Sequence, residues 1–519
     1  TLAAVATTIN RVTGIYEREV AIRLTLVANN DLIIYTNPAT DPFDGNSSPG
    51  LLISESQNVI DDEIGAANYD IGHTFSTGAG GLAGLGVVCL DSQKARGVTG
   101  TRRPVGDPFD VDYVAHEMGH QFGGNHTFNG ANGNCSGGNR NGSTAYEPGS
   151  GSTIQAYAGI CGADNLQSNS DPIFHSVSHT EILNYVGGAG DCGTTTSLSN
   201  AIPTADAGSD YTIPVQTPFV LTGSSSDADA GDTLTYLWEE RDLGPQAALN
   251  AADDGRIPLF RVYTPSASPS RFLPRLATLA NNITDNAEKL PQLGRTMEWR
   301  LTVRDNEGGV DADDMRVAVD QSAGPFQVTS PDGGEDLSGI INITWNVANT
   351  NNAPVSAANV DIFLSTDGGL TFDLTDPLVS RTANDGSHSL ALPNISSTTA
   401  RIMVKGSDNI FFDISDQDFS ILPDDTPVPA VTSPVPGSAL SESTVTFQWT
   451  ANGAPVTQWW LYLGTSQGAD DLHDSGSLGS NLSTTVTGLP TDGRMIFARL
   501  WYRIATGVEQ IHVRHRPRR

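Results

Sequence analysis

Between Ala4 and Tyr16 the apolar residues Val5, Ile9, Val12 and Tyr16 recur at helical spacing, which predicts an amphipathic helix at the start of the chain. From Val20 to Val27 the period drops to two. Val20, Ile22, Leu24 and Leu26 alternate with Ala21, Arg23, Thr25 and Val27, the pattern of a half-buried strand. A second helix is expected over residues 56–68, and the apolar run 86–90 reads as a strand. Residues 110–122 carry acidic groups in their first turn and stop at Gly123-Gly124, as a glycine-capped helix does. The first 192 residues therefore read as α/β.

Past Cys192 the helical period nearly vanishes. The polar stretch 193–200 is a linker, and short alternating runs such as Thr233–Trp238 and Trp299–Val303, set between Gly, Asp, Asn and Pro turns, predict antiparallel sandwiches. A repeat is visible: Val328-Thr329-Ser330-Pro331 precedes Ile343-Thr344-Trp345, and Val431-Thr432-Ser433-Pro434 precedes Phe447-Gln448-Trp449. One sandwich per repeat follows. The reading is multidomain, with an α/β domain over 1–200 followed by three all-β Ig-like sandwich domains over 201–322, 323–422 and 423–519. Residues 423–429 form the clearest linker.

Composition narrows the partners. A formal charge of −31, from 59 acidic against 28 basic residues, leaves no basic stripe for a polyanion, so nucleic acid is excluded. No apolar run approaches the roughly 18–20 residues of a membrane-spanning helix. Cys89, Cys135, Cys161 and Cys192 all lie in the α/β region without a C-x-x-C pair, which fits two disulfides and an oxidising, extracellular setting. Three connectivities are open to four cysteines. The chain opens at Thr1 without initiator methionine or signal peptide, so the targeting segments of a secreted form were removed or lie outside this sequence, and Thr1 is either a truncation point or a maturation site. The basic end, residues 513–519, is expected to be disordered or an artefact of the sequence end.

The chemistry lies in His116-Glu117-Met118-Gly119-His120-Gln121-Phe122-Gly123-Gly124-Asn125-His126, of the form H-E-x-x-H-x-x-G-x-x-H. Residues four apart share a helix face, so His116 and His120 present two imidazoles to one metal. Gly123 lets the chain turn out of the helix and bring His126 round as a third ligand, leaving a fourth position for water. Glu117 can take that water's proton as general base. Peptide hydrolysis without an acyl-enzyme is the implied reaction.

These residues resemble the metzincin zinc peptidases, and the whole first domain is similar to the bacterial reprolysin-like family. The likeness extends to Ile9–Tyr16 with Val20–Val27, and to Asp70–Gly78 with Gly81–Cys89, which resemble that family's first helix, following strand and approach to the edge strand. It implies that Leu82, Ala83, Gly84 and Leu85 bind an extended peptide by strand addition. It implies that Ile173 and Phe174 wall the pocket beyond the scissile bond. It pairs Cys89 with Cys192 and Cys135 with Cys161. The tight turn that carries a methionine under the zinc in metzincins corresponds to residues 152–159, where Gln155 replaces it. Tyr157 matches the zinc-side tyrosine of astacins and serralysins. His175 and His179 are read as satisfied or pocket-lining residues.

Residues 203–320 are similar to polycystic-kidney-disease-type Ig-like modules, with Ala207-Gly208-Ser209-Asp210 at the start and Trp238 in the core; the two later sandwiches resemble Ig or fibronectin modules. The loop with Asp227, Asp229 and Asp232 could hold structural Ca2+, a solvated turn being the simpler account. Trp345, Trp449, Trp459 and Trp460 are read as sandwich core or sheet surface. The expected function is a secreted Zn2+ endopeptidase acting on protein or peptide substrates, its sandwiches folding beside it or holding it at an extracellular polymer or cell surface. Two alternatives remain: a weak or inactive metzincin fold serving as an adhesion module, which Gln155 favours, and a peptidase of the related pappalysin type, which Gly81–Cys89 argues against.

Overall fold

The computed structural model describes residues 2–517 except 79, 424–428, 441, 467 and 505–506, with backbone only over 507–517. Thr1 and most of the expected linker 423–429 thus lie outside the described residues. The chain forms two compact units, 1–422 and 423–519.

In the first unit, α1 (Leu2–Val20) turns Ile9, Val12, Ile15, Tyr16 and Val20 inward. The hydroxyl of Tyr16 donates to the Ala115 carbonyl at 2.8 Å, tying α1 to the helix that bears the histidine motif. The second helix, α2 (Pro49–Glu63), begins at a proline, whose fixed φ suits a first turn, so it starts and stops earlier than the apolar pattern suggests. A small sheet follows: β1 (Thr74–Ser76) runs parallel to β3 (Gly97–Gly100), and β2 (Gly80–Ala83) runs antiparallel to β3 on its other side. β2 is an edge strand of this sheet.

The motif helix, α3, spans residues 107–121. It opens at Asp107–Phe109, widens into π turns over Asp110–Ala115 and finishes as regular α-helix over His116–Gln121. Gly123 takes φ +93°, a conformation that other residues resist, and ends it. The last helix of this domain, α4 (Ser176–Val186), is capped by the His175 side chain, which accepts from Val177 N.

Two expected strands are not formed. Residues 21–27 have no ladder partner; Ile22, Leu24 and Leu26 pack on the core as an extended segment. Residues 86–90 form turns, with Gly86 at φ +62° and Cys89 at φ +69°, and their amides bond the end of α3: Gly86 N to His120 O, Val87 N to Gln121 O. The apolar run there reflects the burial of Val87 and Val88.

Beyond residue 203 the first unit is β. One sheet orders Tyr211–Pro214, Val310–Asp320, Arg295–Arg304 and Thr235–Glu240; Phe219–Thr222 pairs with Ser270–Leu273 outside it. The next sandwich sets Gln327–Ser330, Ile340–Asn346 and Ser387–Ala391 against a sheet built on Asn359–Ser365 and Ser397–Gly406. A single apolar core runs through both, including Trp238, Trp299, Phe326, Trp345 and Phe411. Phe219 and Phe411 form a backbone bridge across the expected 322/323 boundary, so no flexible joint separates these two layers.

The second unit repeats the pattern. Val431 pairs with Trp449 as Val328 pairs with Trp345, each with a register shift immediately after the valine. The sequence repeat is therefore a structural one. Over residues 513–517 the basic tail is not disordered as expected: Gly507–Pro517 is a strand paired along Ile496–Ile504, because that long alternating strand offers it a ladder, and residues 518–519 lie outside the described residues.

Candidate active site

Helix α3 places His116 and His120 one turn apart, and the turn at Gly123 returns His126 to them. Their Nε2 atoms stand 3.1 Å (His116–His120), 3.0 Å (His120–His126) and 3.3 Å (His116–His126) apart. Each Nδ1 faces a backbone carbonyl: His116 that of Ile154 at 2.7 Å, His120 that of Gly124 at 2.6 Å, His126 that of Asn139 at 2.7 Å. A carbonyl can only accept, so each Nδ1 carries the proton and each Nε2 presents a lone pair. Three lone pairs converge on one point with no proton among them, an arrangement that calls for a cation. Around zinc, with Zn–N near 2.0–2.1 Å, tetrahedral nitrogens would sit about 3.3 Å apart. The donor set fits. Burial, and for His116 and His126 the neighbouring imidazoles, push these rings below their usual pKa, His126 to about 3, so they stay neutral.

Glu117 is only 7% exposed, and burial raises its carboxyl to about 8; a cation held by the imidazoles would favour the carboxylate again. It lies against β2: a Cβ added at Gly81 would stand 2.1 Å from Glu117 Oε1. The edge strand thus meets the carboxylate because Gly81 has no side chain, a role the motif alone does not reveal although the Gly80-Gly81 pair hints at it. Leu82 and Leu85 are exposed beside it, with Gly84 N bonded to Arg96 O just past the strand.

Tyr157 stacks on Phe128 at 4.6 Å, and its ring centroid lies 4.5 Å from that of His126 and 5.6 Å from that of His116. Burial and the Glu117 charge raise its phenol to about 12. Gln155 is fully buried under His120. Its Nε2 donates to Gly124 O at 3.2 Å, while its Oε1 has no partner among the described residues and lies where a Cβ at Gly119 would be. Glycine at position 119 thereby accommodates the amide.

Ile173 and Phe174 are not on the cleft surface as expected. Phe174 is completely buried, edge-on to Tyr16 at 5.2 Å, and Ile173 packs with Leu237 and Val262 of the neighbouring sandwich. Phe174 serves the core of the N-terminal domain and Ile173 the contact with the sandwich. His175 stacks parallel on Tyr146 and stands 3.7 Å from Glu239; burial lowers the pKa of His175 and His179, and neither belongs to a metal-competent cluster among the described residues. The disulfides are Cys89–Cys192 and Cys135–Cys161.

In the sandwiches, Trp345, Trp449 and Trp459 are buried, whereas Trp460 is half-buried with the Arg503 guanidinium 5.7 Å from its ring. Asp227 and Asp232 meet Asp305, while Asp229 instead accepts from Ala201 N. No cation is assigned to that cluster. No helix among the described residues is long and apolar enough to cross a membrane.

Helix, edge strand and converging imidazoles define a metallopeptidase-like domain at the N-terminus. Residues 1–186 match the family model for metallo-peptidase family M12B, reprolysin-like, so this part of the chain is similar to that family. No curated protein matches the chain. Among solved structures, an engineered protein is 13% identical over 20% of this chain and 22% of its own, with a TM-score of 0.16. Sidekick-1 immunoglobulin domains 1–5 are 13% identical over 62% of this chain and 59% of theirs, at 0.15. Drosophila N-cadherin EC1–4 is 13% identical over 62% and 76%, at 0.17. The chain thus spans 22% and 59% of the first two, and the sandwich assignment stands on the strand ladders described above.

Proposed function

We propose that this protein is a secreted zinc endopeptidase, with His116, His120 and His126 holding the ion and Glu117 acting as general base. The observation that carries the reading is the set of three Nε2 lone pairs aimed at one point while every Nδ1 is committed to a carbonyl. Zinc bound there would polarise the scissile carbonyl and lower the pKa of the attacking water toward about 7. The substrate lies extended along β2, adding antiparallel at Leu82 and Ala83 through main-chain hydrogen bonds, with Gly84 and Leu85 contacting it past the end of the strand. Glu117 accepts the proton of the water that attacks the carbonyl carbon and delivers it to the nitrogen of the departing amine as the C–N bond breaks. Tyr157 keeps its proton at neutral pH and donates it as a hydrogen bond to the oxyanion. Two disulfides support an extracellular setting. We also retain 1–200, 201–322, 323–422 and 423–519 as domain limits.

The test is cleavage of a mixed peptide library by the full chain and by Glu117→Ala, with zinc content measured on both. Cleavage by the wild type alone, with about one zinc in each protein, is the expected result. Zinc in both with no cleavage by either would favour the adhesion-module reading.

A further inference from the structure

Residues 129–141 form a loop of mostly glycine and asparagine between His126 and the sandwich of residues 203–320. It has one short turn, Gly133–Cys135, and few apolar side chains to anchor it. Yet its Asn139 carbonyl fixes the His126 ring. The N-terminal domain holds this loop through Glu147, Gly149, Ile160, Asp164 and the Cys135–Cys161 bridge, and the sandwich adds a second set of bonds. Arg140 sends Nε to Asn129 Oδ1 at 2.9 Å and Nη2 to the Gly244 carbonyl at 2.7 Å. Gln246 Nε2 donates to two loop carbonyls, Gly130 at 2.7 Å and Cys135 at 2.8 Å. Asn129 Nδ2 donates to Pro245 O at 3.1 Å, and Ala247 N donates to Asn129 O at 3.2 Å. Leu249 N reaches Asp164 Oδ1 at 2.8 Å, and the other oxygen of that carboxylate takes the amides of Ala131 and Asn132.

We infer that the 244–249 loop of the sandwich is a working part of the metal centre: Gln246 and the Gly244 carbonyl hold residues 129–140 so that the Asn139 carbonyl aims His126. Gln246 and Arg140 are positioning residues, acting on the ligand through the backbone it bonds to. The inference rests on His126 being a zinc ligand, as proposed above. A partner that fixes the second nitrogen of a ligating imidazole typically contributes 10–100-fold to metal affinity, and Gln246 and Arg140 act through that same bond.

The experiment follows zinc release from the full chain into excess chromogenic chelator. Gln246→Ala and Arg140→Ala are compared with Arg261→Ala, which removes a bond to Gln167 across the same domain contact without leading to His126. His126→Ala tests the ligand assignment itself. Release about tenfold faster in Gln246→Ala and Arg140→Ala is expected, with Arg261→Ala within about twofold of wild type. In the cobalt(II)-substituted protein the visible ligand-field bands of the first two variants should shift while those of Arg261→Ala stay in place. Wild-type release from Gln246→Ala and Arg140→Ala overturns the inference, as does equally fast release from Arg261→Ala, which would mean that domain docking in general is being loosened. If His126→Ala releases zinc no faster than wild type, the ligand assignment fails and the positioning role falls with it.

Discussion

At the scale of single residues, two glycines mark how closely this site is packed. With Glu117 Oε1 2.1 Å from where a Cβ on Gly81 would sit, Gly81→Ala must displace a carboxylate that has almost no open space. A misplacement of about 1 Å at a reacting group costs on the order of 100-fold in rate. Gly81→Ala should therefore lose about that much in kcat/KM while keeping its zinc, measured by peptide turnover beside metal analysis. Gln155 offers the opposite case. Its buried Oε1 has no partner among the described residues, and Gly124 O, which its Nε2 reaches, already accepts from His120 Nδ1. An unsatisfied buried acceptor costs about 1–3 kcal/mol, whereas methionine is close in volume and needs no partner. Gln155→Met should stabilise the zinc-free protein by about 1 kcal/mol, read from its denaturant midpoint. The convergence of His116 and His120 was legible from spacing because a helix fixes residues four apart on one face, and Gly123 marked the turn that returns His126 to them. The carbonyls of Ile154, Gly124 and Asn139 were not, since a main-chain acceptor leaves no mark on residue type.

Among elements, the loop carrying Asn139 depends on the Cys135–Cys161 bridge, which closes a span of 26 residues. A bridge of that span contributes about 3–4 kcal/mol by restricting the unfolded chain. Cys135→Ser with Cys161→Ser should lower stability by about that amount in chemical denaturation. Prediction from periodicity worked where one face alone is buried, as in α1. It failed at residues 21–27, where alternation records which side chains face the core and says nothing of a backbone partner. It failed again at 86–90, where the apolar run belongs to a loop pinned onto α3 by amide bonds and by Cys89. The repeat at Val328 and Val431 was legible because the valine-to-tryptophan pairing recurs intact in both sandwiches.

Across the whole first unit, the N-terminal domain and the sandwich share a buried ion pair. Arg304, on the Arg295–Arg304 strand, meets Glu19 of α1 at 2.9 Å with both side chains wholly shielded, and also donates to Phe174 O. Removing one member strands the other charge, at about 3–5 kcal/mol, whereas replacing both with apolar residues is often neutral. Arg304→Met alone should be strongly destabilising and Glu19→Leu with Arg304→Met much less so, as thermal unfolding would register. Burial pushes the Glu19 carboxyl up, but Arg304, His179 and Arg18 outweigh it and hold it below its usual range. A depressed carboxylate contributes stability that is present above its unfolded pKa of about 4.3 and is lost as pH falls through the lower folded value. Acid unfolding of the wild type should accordingly be steeper below about pH 4 than that of the double variant. Sequence gave no warning of this pair, because 285 residues separate its members.

The Cys89–Cys192 bridge spans 103 residues and encloses the motif helix, the glycine-rich loop and the turn bearing Gln155. A single backbone cut between residues 90 and 191 therefore leaves two fragments on one covalent frame. A protein that nicks its own kind at the exposed 136–143 segment would migrate undiminished in a gel until reductant is added, and self-digestion in a stored preparation would become visible only then.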